Sequence, residues 1–70
     1  MTLFVTGSES FIGRALIARC KALGIDTAGI DSIAPTGVAC RQADIRDPAI
    51  ADLIPEGAIV VHLAAISRDP

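Results

Sequence analysis

The residues best placed to do chemistry lie in one short stretch, Thr6-Gly7-Ser8-Glu9-Ser10-Phe11-Ile12-Gly13. Gly7 permits a tight turn, Gly13 permits close packing of whatever helix follows, and the first amides of that helix have no partner within it. An anionic diphosphate suits amides presented in that way. A plain connecting turn would use the same glycines, so the partner residues decide between the two readings. Asp31 is such a partner: 18 residues separate it from Gly13, close to the roughly 20 expected of an acid that accepts both hydroxyls of a ribose. Alone, Asp31 could equally be a solvated carboxylate at the end of a strand.

The elements that must position these groups follow from the hydrophobic pattern. Residues 2–5 are almost wholly apolar and run into Thr6-Gly7, as expected of a strand buried on both faces of a parallel sheet. Over residues 11–23 the spacing of Ile12, Leu16, Cys20 and Leu23 predicts an amphipathic helix. It should end at Gly24, with Lys21 near its carbonyl end. A second strand is expected over residues 27–30, ending at Asp31, then a loop over residues 32–37 containing Pro35 and a third strand over residues 38–43. Asp47 should cap a helix of about two turns that has Pro48 at its first position and Ile50, Leu53 and Ile54 facing inward. Pro55 and Gly57 end it, and residues 58–65 form a continuous apolar strand broken only by His62.

Strand, helix, strand, strand, helix, strand is the order of the first half of a doubly wound, Rossmann-like α/β fold, with the strands expected in the spatial order 3-2-1-4. In that setting Asp31 would repel a 2′-phosphate. Neither the glycine turn nor the loop after Asp31 holds an Arg or Lys to offset the repulsion, so NAD is expected over NADP. The apolar fourth strand would be an open edge, an arrangement that further strands and helices normally cover. The 70 residues are therefore expected to be a partial domain from a longer protein.

Composition excludes other classes. A folded chain of 70 residues buries only about 60% of its unfolded surface, which leaves no room for a second domain. Six basic against eight acidic residues give a net charge of −2, so there is no basic field for nucleic acid or an anionic membrane. The chain contains no Tyr, which excludes catalysis by a phenol. Cys20 and Cys40 are too few for a zinc cluster or a disulfide scaffold and read as reduced packing thiols. No leader, membrane span or repeat is visible, and a cytoplasmic setting is expected. Neither a catalytic residue nor a metal ligand is assigned. His62 has no nucleophile placed beside it and is expected to be a buried, hydrogen-bonded core residue.

Four features together resemble the extended short-chain dehydrogenase/reductase superfamily, and within it the NAD-dependent epimerase/dehydratase family. They are the turn Thr6 to Gly13, Asp31, the run Asp44-Ile45-Arg46-Asp47, and Val61-His62-Leu63-Ala64-Ala65. The resemblance implies that Gly7, Ser10, Phe11, Ile12 and Gly13 line the diphosphate and that Asp31 takes the ribose. It further implies that Asp44 faces the adenine amino group with Ile45 beside the ring, and that Leu63, Ala64 and Ala65 leave room for the cofactor. Ser10 departs from the family pattern, which usually has a glycine there. Its β-carbon could push the diphosphate outward, or its hydroxyl could replace a backbone contact. The family's Tyr-x-x-x-Lys pair is absent, so the hydride chemistry would belong to sequence beyond Pro70, and the implied substrate of the longer protein is a nucleotide sugar. A homo-oligomer is compatible with the reading. The alternatives are a non-catalytic module that binds or senses NAD(P), and a piece too small to fold well alone.

Overall fold

The computed structural model describes residues 1–35 and 39–64. Strand β1 (Thr2–Thr6) leads through the glycine turn into helix α1 (Phe11–Ala22), which returns to β2 (Asp26–Asp31). Strand β3 (Cys40–Gln42), a 3₁₀ helix (Pro48–Leu53) and β4 (Ile59–His62) follow. The four strands form one sheet in the order β3-β2-β1-β4, and every pairing is parallel. The chain thus builds outward from β1 to β3 and then crosses back to place β4 on the other side of β1. In open α/β sheets such a reversal marks the place, outside the carboxyl ends of the strands it separates, where ligands bind; here those strands are β1 and its neighbours β2 and β4.

The buried apolar residues are Phe4 and Val5 of β1, Ile30 of β2 and Cys20 of α1; Phe4 and Val5 are neighbours in a strand and so face opposite sides of the sheet. Along α1 the buried and half-buried positions are Gly13, Leu16, Ile17 and Cys20, the i, i+3, i+4, i+7 stripe of a helix packed on a sheet. This corrects the expected face, because Ile12 and Leu23 are exposed. Steps of four residues overshoot the helical repeat, so Ile12 lies about 80° from Cys20 around the axis. Leu23 is the cap beyond the last helical residue. Gly24 has φ +74° and ends the helix as expected.

Two strands are shorter than the sequence suggests. β3 is three residues long, and the expected start at Val38 and end at Ala65 of the third and fourth strands lie outside the described residues. β4 is an edge of the sheet, and Ile59 and Val60 on it are exposed. The same edge position corrects the reading of His62, which is hydrogen-bonded but exposed. Asp47 caps its helix as expected, its carboxylate accepting from the Ala49 amide at 2.9 Å with Pro48 in the first turn. The short element closes as a 3₁₀ helix instead of an α-helix, a common outcome for pieces this brief. Among the described residues no helix is long and apolar enough to cross a membrane.

Candidate functional site

The glycine turn is fastened at both ends. The amides of Gly7 and Ser8 both donate to the Ile30 carbonyl, at 2.9 and 3.1 Å, which ties the start of the turn to the end of β2. Gly7 has φ +77°. A β-carbon there would also stand 2.9 Å from the Ala64 nitrogen and 3.1 Å from the Leu63 carbonyl carbon. Gly7 therefore allows the turn to lie against the end of β4. At Gly13 a β-carbon would overlap the Gly7 carbonyl oxygen, so this second glycine lets the helix sit on the turn itself.

Ser10 is the N-cap of α1, with extended backbone angles. Its hydroxyl donates to the Gly7 carbonyl at 2.6 Å and accepts from the Gly13 amide at 3.0 Å. The hydroxyl proton is thus already committed within the turn. Of the two roles open to Ser10, donation to a bound phosphate would require breaking that bond. The Arg14 amide donates to the Ser10 carbonyl. None of the turn's hydrogen bonds uses the amides of Phe11 and Ile12, and no acidic residue occupies the first turn of the helix. These two donors at the positive end of α1 are what the site offers an anion. The Phe11 and Ile12 side chains are exposed, so their contribution is through the backbone.

Asp31 belongs to the same construction. Its Oδ2 accepts from the Glu9 amide at 2.8 Å and its Oδ1 from the Ile33 amide at 3.0 Å, joining the glycine turn to the residues after β2. An ionised carboxylate has about four acceptor sites, so each oxygen keeps capacity for a further donor such as a ribose hydroxyl. The Ala43 amide donates to the Asp31 carbonyl at 2.9 Å, which brings the segment carrying Asp44 and half-buried Ile45 to the same end of the sheet.

Asp44 is exposed and paired with Arg46. Its carboxylate accepts from the Arg46 guanidinium, closest at 2.7 Å through Nη2, and from the Arg46 amide at 2.9 Å. The guanidinium hydrogen bonds, followed by the amide, hold the Asp44 pKa at about 2 instead of the ordinary 3.8. The carboxylate is therefore ionised and acceptor-only at neutral pH. An adenine amino group would have to share it with Arg46.

On the other side of Gly7, the Thr6 hydroxyl joins β1 to the end of β4. It accepts from the amides of Leu63 and Ala64, both at 3.1 Å, and lies 2.7 Å from Nδ1 of His62. Ala64 is half-buried beside Gly7; Ala65, expected at the same place, lies outside the described residues. Across the turn, Ser8 is buried and its hydroxyl has no hydrogen-bond partner. No group of three His, Cys, Asp or Glu that could hold a metal ion occurs among the described residues.

A family model described as the NAD dependent epimerase/dehydratase family matches residues 3–70. The chain belongs to that family. Among solved structures, a short-chain dehydrogenase/reductase superfamily protein from Agrobacterium tumefaciens, crystallised with bound NAD, is 32% identical with a TM-score of 0.84. The match covers 97% of this chain and 21% of that one. No curated protein matches the chain.

Within this epimerase/dehydratase-family chain, several contacts were not foreseen. In the sequence Thr6 only closes the apolar run of residues 2–5, yet its hydroxyl is the shared acceptor of the Leu63 and Ala64 amides at the site's rim. Ser10 stands directly before the first helical residue, which is the ordinary signature of an N-cap, and that signal was available. Arg46 lies two residues after Asp44, a spacing typical of a local turn contact. Gly29, at the centre of β2, carries no local signal at all. Its role is to leave space, because a β-carbon there would stand 2.7 Å from the Val5 carbonyl oxygen and 3.0 Å from the Ser8 β-carbon.

Proposed function

We propose that the chain is the part of an NAD-dependent nucleotide-sugar epimerase or dehydratase-like oxidoreductase that grips the adenosine diphosphate half of NAD, and that the longer protein supplies the remainder of the domain. The observation that carries the reading is the juxtaposition of the uncommitted Phe11 and Ile12 amides with the Asp31 carboxylate, which is bonded to the same turn through Glu9. The amides would receive the diphosphate, Asp31 the ribose hydroxyls, and Asp44 with Ile45 the adenine. Gly7 and Ala64 keep the space beside the turn free of side chains. Bound NAD would supply a hydride acceptor; the 70 residues hold no Tyr to serve as its acid/base partner.

Asp31 also supports NAD over NADP, since a 2′-phosphate on the ribose would be placed against the carboxylate proposed to accept its hydroxyls. The family match and the NAD-bound structural relative support the cofactor class. The absence of Tyr favours a second reading, a binding module without hydride chemistry of its own. Free Cys20 and Cys40 fit a reducing, cytosolic setting.

The test is titration of the ¹⁵N-labelled protein with NAD and with NADP. NAD should shift the Phe11, Ile12 and Asp31 amide resonances and bind more tightly than NADP. Shifts confined to other parts of the chain would overturn the site, and equal affinity for the two dinucleotides would overturn the role of Asp31 in choosing between them.

A further inference from the structure

A cavity of about 250 Å³ runs along α1, lined by Ser8 and Glu9 of the glycine turn, Arg14, Ile17 and Lys21 of α1, and Cys40 of β3. Ser8 is 1% exposed, and its hydroxyl has no hydrogen-bond partner among the described residues. A buried hydroxyl left without a partner destabilises a fold, and in a native structure it points to a ligand or a water. The thiol of Cys40 borders the same spot. The parallel register sets Cys40 beside Gly29, and a β-carbon on Gly29 would stand 3.4 Å from the Cys40 sulfur and 3.0 Å from the Ser8 β-carbon.

The charges around this cavity are unequal. Arg14 and Lys21 are exposed and lie two helical turns apart, on one side of α1 with Ile17 between them. Neither side chain has a hydrogen bond or an ion pair among the described residues. Glu9 supplies the one carboxylate of the lining, so the net charge there is positive. Cys40 is half-buried, whereas Cys20 is 3% exposed. A partly exposed thiol in positive surroundings is the setting in which cysteines react, and a sealed one is inert.

We propose that Cys40 is a modification site for small disulfides whose halves end in carboxylates. The half that stays lies along Ile17, and its carboxylate is shared by Arg14, Lys21 and the Ser8 hydroxyl. In the reaction the Cys40 thiol gives its proton to solvent, and the sulfur attacks one sulfur of the disulfide. The old S–S bond breaks as the new one forms, and the other half leaves as a thiolate with the electron pair. Cys40 is oxidised and the departing half reduced; a free thiol reverses the step, as a reducing setting requires. None of this rests on the cofactor reading.

The test treats the full chain in turn with dithiodipropionate, hydroxyethyl disulfide and cystamine, which are anionic, neutral and cationic reagents of similar length. Rates of mixed-disulfide formation are read by intact mass and assigned by peptide mapping. Each is divided by the reagent's rate with N-acetylcysteine, which removes differences in intrinsic reactivity. Cys40 should be modified and Cys20 spared. The anionic reagent should lead the cationic one by roughly three- to tenfold at low salt, the scale of one exposed charge pair in water, with the neutral reagent between them. Added salt should shrink that lead, and the double variant Arg14→Gln, Lys21→Gln should abolish it. Ser8→Ala should slow the anionic reagent by about two- to tenfold, the scale of one hydrogen bond, with a melting temperature equal to the parent's or higher because an unpartnered hydroxyl is gone. Equal modification of Cys20 and Cys40, no charge preference, or a preference that survives the double variant would overturn the proposal. So would Ser8→Ala reacting at the parent's rate, which assigns the hydroxyl to a water, or melting below the parent, which assigns it to the fold.

Discussion

Replacing Asp31 with Ala should do two separable things. Without cofactor, it removes the acceptor of the Glu9 amide, a part-buried bond of 2.8 Å, and of the Ile33 amide, an exposed bond of 3.0 Å. Hydrogen bonds to a charged group contribute about 1.5–3 kcal/mol; the exposed one belongs well below that range because water replaces the acceptor. Together they give a loss of about 2–3 kcal/mol. For a domain of this size each kcal/mol moves the melting temperature by about 4–8 °C, so a fall of about 10–20 °C is expected in a thermal melt followed by circular dichroism. Asp31→Asn, which retains one neutral acceptor, should fall by roughly half as much.

With cofactor, the same substitution removes the acceptor proposed for the ribose hydroxyls. The affinity for NAD should drop by about 1.5–3 kcal/mol, again the scale of bonds to a charged group. It is measured well below the variant's own melting temperature, so that binding is compared between folded states. A melt within about 2 °C of the parent, well inside the shift expected for even one kcal/mol, would refute the claim that Asp31 fastens the turn. Unchanged NAD affinity in a variant with the lowered melt would refute its role toward the ribose and leave the structural role intact.

Gly13→Ala should destabilise the chain by at least about 1–3 kcal/mol, since its new methyl overlaps the Gly7 carbonyl oxygen and overpacking against backbone relaxes poorly. Gly24→Ala, with nothing within 4 Å of the added carbon, should lose only the about 1–2 kcal/mol of left-handed strain, and denaturant melts compare the two. Ser10→Ala should lose about 0.5–2 kcal/mol through the N-cap, read in the same melts. Arg46→Ala should return the Asp44 pKa from about 2 toward 3.8, followed by the carboxyl ¹³C shift. Because the folded pKa is depressed, whatever the pairing adds is fully present above the unfolded value of about 3.9. It is lost as the pH falls through about 2. The pair is exposed, so its effect on stability should be slight.

Much of the architecture was legible because it rests on patterns that repeat along the chain. Apolar runs ending in Gly7 and Asp31, and an apolar run carrying His62, mark parallel strands whose crossover order leaves few topologies. The observed order β3-β2-β1-β4 is the expected one. What misled was phase and context. A stripe chosen at steps of four drifts off the buried face, so the pattern points Ile12 inward although Ile12 is exposed, and the buried position beside it is Gly13, the residue that the glycine turn already marks for close packing. The exposure of His62 follows from β4 being an edge, and residue type alone could not convey it.

The site divides along the same line. Gly7 and Gly13 were recognisable because backbone conformation restricts the residue type at those positions, and Asp31, proposed for the ribose, because of its offset from the glycine turn. The contacts that hold those residues in place obey no such offset. Asp31 reaches back 22 positions to the Glu9 amide, and Thr6 meets the end of β4 across 56 to 58 positions. A threonine at the end of a strand has the same local appearance whether its hydroxyl faces solvent or serves three partners. Its role appears only once the parallel register puts His62 opposite Thr6. There its hydroxyl accepts from the amides of Leu63 and Ala64, the two residues that follow β4.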